Sequence, residues 1–119
     1  MTKVLTRAEE QIMQSLWKIG KGGLRDIVEI MPEPRPHVNT VATILKILIE
    51  KGFVRVEPVG RVNLYKPKVT KDKYSKQSME RIVTSYFDGS YSNAISFLVD
   101  NKNVTVDDLE LLVKNLKNK

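Results

Sequence analysis

The sequence predicts a mainly α chain with one small antiparallel β-hairpin, and three observations carry that prediction. The stretch Val38–Gly52, VNTVATILKILIEKG, has Val41, Ile44, Leu45 and Leu48 within one arc of about 100° when numbered as a helix. FVRVEPVGRVNLYK follows at once, two β-rich runs around a Gly-Arg turn, and three further helical stripes follow the hairpin. Together these outline a winged helix-turn-helix domain over residues 1–70 and a C-terminal three-helix region over 71–119. Taken alone, the central stretch is better described as an ordinary amphipathic helix packed on a small sheet, and the rest of the chain shifts that balance.

Thr6-Arg7-Ala8-Glu9 reads as a capping box, with Thr6 at the N-cap and Glu9 reaching back. Ala8, Ile12, Met13, Leu16 and Trp17 recur at helical spacing, so Thr6–Ile19 is the first helix. Trp17 lies on that stripe and is expected in the core, although an indole is also able to stack on a base. Gly20, Gly22 and Gly23 break the chain and leave room for a short β-bridge. Leu24, Ile27, Val28 and Met31 form a short second helix, ended by Pro32, Pro34 and Pro36. His37 then occupies the capping position of the third helix.

In that third helix Val38 and Ile49 extend the apolar edge, and the opposite arc holds Asn39, Thr43, Lys46 and Glu50, flanked by Thr40 and Ala42. Gly52 supplies the left-handed stop. Phe53–Glu57 and Val62–Lys66 alternate like strands, with Pro58-Val59-Gly60-Arg61 as the turn. Arg61 at the tip is either a solvated turn residue or a contact to a polyanion. Thr70–Lys73 is the expected link. Tyr74, Met79, Ile82, Val83, Tyr86 and Phe87 mark a fourth helix that stops at Asp88-Gly89. Ser90 starts a fifth, striped by Tyr91, Ala94, Ile95, Leu98 and Val99. Thr105-Val106-Asp107-Asp108 starts the last, where acidic residues suit the helix dipole, and Leu109, Leu112, Val113 and Leu116 line it.

The 119 residues allow one compact domain plus an extension, or two very small domains. With 41% hydrophobic and 29% charged residues the chain has an ordinary soluble composition. It has no cysteine, which removes disulfides, thiolate metal sites and cysteine nucleophiles. No apolar run approaches the roughly 20 residues that span a bilayer, so no membrane insertion is expected. MTKVLTRAEE has no secretory h-region, which makes the cytoplasm the expected location. The net charge of +6 is uneven: residues 1–70 carry twelve Lys/Arg against seven Asp/Glu, and residues 71–119 carry eight against seven. A basic first part and a balanced second part suit a polyanion-binding unit joined to a partner-binding unit.

Catalytic chemistry finds no support. There is no phosphate loop, dinucleotide fingerprint or paired-histidine zinc motif, and no serine sits on a G-x-S-x-G turn. His37 is the only histidine and lacks the neighbours a metal site needs; a phosphate contact near the helix start fits it better. No cofactor is expected.

LTRAEEQIMQSLW, then NTVATILKILIEKGFV, then GRVNLYKPKV, in that order, resemble the penicillinase repressor family (BlaI/MecI type), to which copper-responsive repressors are related. The resemblance runs through residues 4–70 and continues more loosely beyond. It implies a homodimeric winged-helix transcriptional repressor whose third helix, residues 38–51, enters the major groove of a palindromic double-stranded DNA operator. The implied DNA contacts are Asn39, Thr40, Ala42, Thr43 and Lys46 on that helix, with His37 at its start and Arg61 on the wing. Asn suits adenine, Lys suits guanine, Thr serves either, and Ala42 suits a thymine methyl.

The implied dimerisation residues are Tyr74, Ile82, Phe87, Ile95, Leu98, Leu109, Leu112 and Leu116. Burial points the same way, since three short helices in about 49 residues are too little to cover their own apolar faces. The sequence departs from the family in three places. It lacks the C-terminal cysteines of the copper-responsive branch. Ser96-Phe97 stands where the antibiotic-resistance branch has an Asn-Phe bond, cleaved after signalling by a membrane sensor-protease. Ile47 stands where an arginine is usual. The release signal is therefore expected from a sensor-protease or from another inducer pathway. The alternatives are a winged-helix protein-interaction adaptor without a specific DNA site, and an accessory subunit whose residues 71–119 dock on a different protein.

Overall fold

The computed structural model describes residues 4–118, and these divide into two compact units between Lys76 and Gln77. The first three residues, part of the N-terminal reading above, lie outside the described residues. The elements run α1 (Arg7–Ile19), α2 (Leu24–Ile30), α3 (Val38–Glu50), β1 (Val54–Val59), β2 (Val62–Pro67), α4 (Lys71–Tyr86), α5 (Tyr91–Asp100) and α6 (Val106–Lys117). The fold is the expected one, six helices and a two-stranded antiparallel hairpin.

Each helix of the first unit begins where local chemistry favours it. At α1 the Thr6 hydroxyl accepts from the Glu9 amide at 3.2 Å while the Glu9 carboxylate accepts from the Thr6 amide at 2.8 Å, so two orphan donors are satisfied. At α2 the Asp26 carboxylate accepts from the Gly23 amide at 2.9 Å. Ile12, Met13 and Leu16 of α1, Ile27 of α2, and Val41, Leu45 and Leu48 of α3 close into one core with Leu5, Met31, Phe53, Val54 and Tyr74. Ala8, expected on the inner stripe of α1, is exposed, and the buried residue on that turn is Glu9.

The end of α3 sets the start of the hairpin. Gly52 takes φ +82°, its amide donates to the Ile49 carbonyl at 3.1 Å, and the Phe53 amide donates to the Leu48 carbonyl at 2.9 Å. This is a Schellman motif, and its usual apolar contact is supplied by Leu48 and Phe53, both fully buried. The strands are longer than expected: β1 pairs through Val59↔Val62, so Pro58 and Val59 belong to the strand and only Gly60-Arg61 turns. A two-residue loop with positive φ at its first residue, Gly60 at +61°, matches the right-handed twist of the flanking strands and lets pairing continue to the tip. Pro58 is tolerated because an edge strand need not donate there. The glycine break supplies the expected bridge, Gly22 and Tyr65 exchanging amide–carbonyl bonds of 3.1 and 2.8 Å.

The boundary expected after residue 70 moves to Lys76, and Tyr74 is the reason. Its ring is buried against Trp17 and Phe53, at centroid distances of 5.9 and 5.7 Å, and its hydroxyl accepts from the Leu5 amide at 3.2 Å. Residues 71–73, expected as link, are the first turn of α4, capped by the Thr70 hydroxyl accepting from the Lys73 amide. Tyr74 and Val83 are nine residues apart, hence on opposite sides of a helix at 100° per residue. The single stripe read from the sequence is therefore two faces. In the second unit Ser90 and Thr105 cap α5 and α6 as expected, and Phe87 meets Phe97 edge-on at 5.4 Å. Among the described residues of that unit, Val83 is the only buried hydrophobic side chain.

Glu9 joins two elements of the first unit. Its Oε1 accepts from the Thr6 amide and from Lys51 Nζ at 2.7 Å, tying the start of α1 to the end of α3. Burial pushes the Glu9 carboxyl up, but hydrogen bonds from Lys51 and Thr6 and the Lys51 charge outweigh it, leaving the group below its usual 4.5. A lowered folded value means the stabilisation is complete above pH 4.5 and is lost as pH falls through the folded value. Glu9→Gln is expected to cost about 1–3 kcal/mol at neutral pH, because Lys51 loses its counter-charge. Urea melts across pH should show that deficit closing as pH falls below 4.5 and through the lowered folded value, where the wild-type group is itself protonated. A deficit constant with pH would assign the effect to packing instead.

Candidate nucleic-acid interface

Burying Val41, Leu45 and Leu48 fixes the roll of α3, and the same rotation turns Asn39, Thr40, Thr43 and Lys46 to solvent. All four are exposed, Ala42 is half-buried at the margin, and Ile47 is exposed within the outward arc. The structure thus brings together on one helix face every residue that the sequence selected there.

Two of these side chains are partly committed to their own helix. His37 is the N-cap, and its Nδ1 accepts from the Asn39 amide at 3.1 Å. That bond requires the tautomer with its proton on Nε2, which leaves one N–H donor facing out at the start of the helix. The Thr43 hydroxyl donates to the Asn39 carbonyl at 3.0 Å, so towards a ligand it offers lone pairs and a methyl group, and no proton. Among the described residues, the side chains of Asn39 and Lys46 donate to no other group, which leaves their donors for a ligand.

Arg61 is exposed at the hairpin tip. Beneath it an open groove of about 550 Å³ runs between the start of α2, the start of α3 and the hairpin, lined by Arg25, Asp26, Val38, Arg61, Asn63 and Tyr65 among others. Arg25 and Asn63 are additions that the sequence did not suggest, since residues 25 and 61 are brought together by tertiary structure, the Gly22–Tyr65 bridge included. Among the described residues, neither Arg25, Arg61 nor Lys46 forms an ion pair, whereas Lys21 is paired with Glu57 at 3.1 Å and Arg35 with Glu33 at 3.5 Å. The Asp26 carboxylate in the groove is held by the Gly23 amide. Among the described residues, the unpaired positive charges of this side are therefore Lys46 on the helix face, Arg61 on the wing and Arg25 at the start of α2.

In the second unit, Ile82, Ile95, Leu98, Leu112 and Leu116 are exposed, and Phe87 and Leu109 are half-buried. Tyr74, placed with them by the sequence, is instead taken up by the first unit's core. Ser96 and Phe97 are both exposed on α5. No helix is long and apolar enough to cross a membrane, and no group of three or more His, Asp or Glu is placed to hold a metal ion, among the described residues.

Three core helices followed by a hairpin wing define a winged helix-turn-helix protein. Solved structures of the same fold include MarR from E. coli in its oxidised form (TM-score 0.50, 17% identity, 96% of this chain and 74% of that one). A mutant of MarR complexed with operator DNA is similar at TM-score 0.52 and 19% identity, over 96% of this chain and 74% of that one. The chain belongs to the penicillinase repressor family, whose model matches residues 5–118. The penicillinase repressor of Bacillus licheniformis is 20% identical over 114 residues, 95% of this chain and 89% of that protein. An uncharacterised 16.5 kDa protein of Latilactobacillus sakei is 30% identical over 61 residues, a match spanning 50% of this chain and 42% of the relative's length. The family and fold are those of DNA-binding transcriptional regulators, which are not enzymes.

The cap at His37 is separable from any outward contact it makes. His37→Ala is expected to lower stability by about 1 kcal/mol in urea unfolding, and His37→Asn to restore most of it. Equal losses for the two variants would show that the ring does more for the fold than cap.

Proposed function

We propose that this protein is a homodimeric repressor that binds a palindromic operator by laying α3 in the major groove. The observation that carries the reading is the exposed arc of Asn39, Thr40, Thr43 and Lys46 on a helix whose roll is fixed by its buried face. Asn39 is suited to pair bidentately with adenine, Lys46 to donate to guanine, and Thr43 to accept from a base amine or meet a methyl, with Ala42 at the margin. Arg61 on the wing and Arg25 across the groove would hold phosphates, and the His37 Nε2–H would add a further backbone contact. Such contacts fix register without reading sequence.

Dimerisation is supported by the second unit. Ile82, Ile95, Leu98, Leu112 and Leu116 are large aliphatic side chains left exposed there, and exposed apolar surface gathered in one region often marks an interaction site. A second copy would cover it and give the two-fold symmetry that a palindrome matches. Repression then requires only occupancy of the promoter. A membrane sensor-protease or another inducer pathway would act by weakening the dimer, since loss of one half-site forfeits most of the affinity.

The test is selection of bound sequences from a randomised duplex pool, followed by fluorescence anisotropy on the enriched duplex and on a scrambled one. A preference of roughly 10³ or more, saturating at one dimer per duplex, is expected. Thr43→Ala and Lys46→Ala should each cost about 1–3 kcal/mol on the enriched duplex alone. Arg25→Ala and Arg61→Ala should weaken both duplexes alike and each lower the salt slope by about one. Equal binding to both duplexes would favour the adaptor. For the dimer, sedimentation should show two copies in the wild type and one in Leu112→Glu; a monomeric wild type would overturn it.

A further inference from the structure

We infer that Ile47 is a base-reading residue that recognises the C5-methyl group of a thymine; the inference rests on the operator-binding reading above and names part of what that site selects. Ile47 is 39% exposed, while Val41, Leu45 and Leu48 of the same helix are fully buried. At 100° per residue it falls between Thr40 and Thr43, within the polar arc and away from the core stripe. Ile47 is not among the side chains that form the core of the first unit or pack against it.

Single exposed aliphatics are common on protein surfaces, so its neighbours decide the case. The Thr43 hydroxyl spends its proton on the Asn39 carbonyl, so beside Ile47 that residue offers a methyl and acceptor lone pairs. Lys46 supplies the strong donor of this turn, and its flexible stem carries it to one side. What remains between Thr40 and Thr43 is an apolar spot fitted to a partner with no polar atom to satisfy. In the major groove only thymine presents such a group. Cytosine at the same place would have its amine desolvated without an acceptor, which disfavours it. Isoleucine is also stiff at χ1 within a helix, so little side-chain freedom remains to be lost on contact.

The experiment replaces each thymine of the selected duplex with uracil, one at a time, removing the methyl while leaving every hydrogen-bonding edge intact. Anisotropy should find a position in each half-site at which uracil weakens wild-type binding by about fourfold to tenfold. Ile47→Ala should bind the thymine duplex more weakly by a similar factor and no longer distinguish thymine from uracil there. Ile47→Val should keep part of the discrimination, and because the position is exposed these variants should melt like the wild type. Indifference of the wild type to every uracil, or unchanged discrimination in Ile47→Ala, would overturn the assignment of Ile47 while leaving operator binding intact. A pool in which no sequence is enriched would overturn both.

Discussion

The inner stripe of α3 is the constraint on which the rest of the first unit depends. Val41, Leu45 and Leu48 are fully buried, so the helix has one roll angle at which its apolar side chains leave water. Rolling it by one residue, about 100°, would carry Lys46 or Thr43 towards the core and expose a leucine, and burying an unpaired ammonium costs several kcal/mol. Axial position is fixed as firmly. The Schellman turn at Gly52 and the Lys51–Glu9 pair hold one end, and the proline-rich approach with the His37 cap holds the other. The outward arc is what burial leaves behind, which is why its exposed side chains are nonetheless placed by the fold.

That constraint reaches the wing through the backbone. Phe53 is at once the residue that completes the α3 stop and the one that precedes β1, and its carbonyl also accepts from the Lys68 amide at 2.7 Å as the chain leaves β2. The Trp17 indole donates to the Val69 carbonyl at 2.8 Å, and Tyr74 closes the same region. With the Gly22–Tyr65 bridge these bonds hold the hairpin at both its base and its flank, so Arg61 projects from a supported ribbon. The helix face and the wing tip are two parts of one rigid arrangement.

Much of this was legible in the sequence because it is local. The capping box at Thr6, the helix start at Thr105, the Gly52 stop and the α3 stripe each involve residues a few positions apart, and all are present. The features that depend on distant pairs have no local signal in the sequence. Tyr74 looked like part of the fourth helix's stripe until its partners, Leu5, Trp17 and Phe53, were in place. Glu9 read as a cap, but its second partner lies 42 residues away. Pro58 resembles a turn residue in sequence, so the hairpin tip reads as wider than it is, and the register places Pro58 at an edge position. Arg25 and Arg61 share a groove for a reason no spacing rule contains.

The two units differ in how much of their own stability they supply. The first closes a core with residues from its three helices and from the hairpin and its flanks, whereas the second leaves many of its aliphatic residues exposed and fully buries only Val83 among the described hydrophobics. If a second copy covers that surface, as proposed, folding of residues 77–118 and assembly become one equilibrium that depends on protein concentration. Binding of two half-sites then multiplies through an effective concentration that exists only while the pair holds together. A change confined to α5 or α6 would lower operator affinity without altering any residue of α3. In such a design sequence reading resides in the self-sufficient unit, and control resides in the unit that cannot cover its own surface.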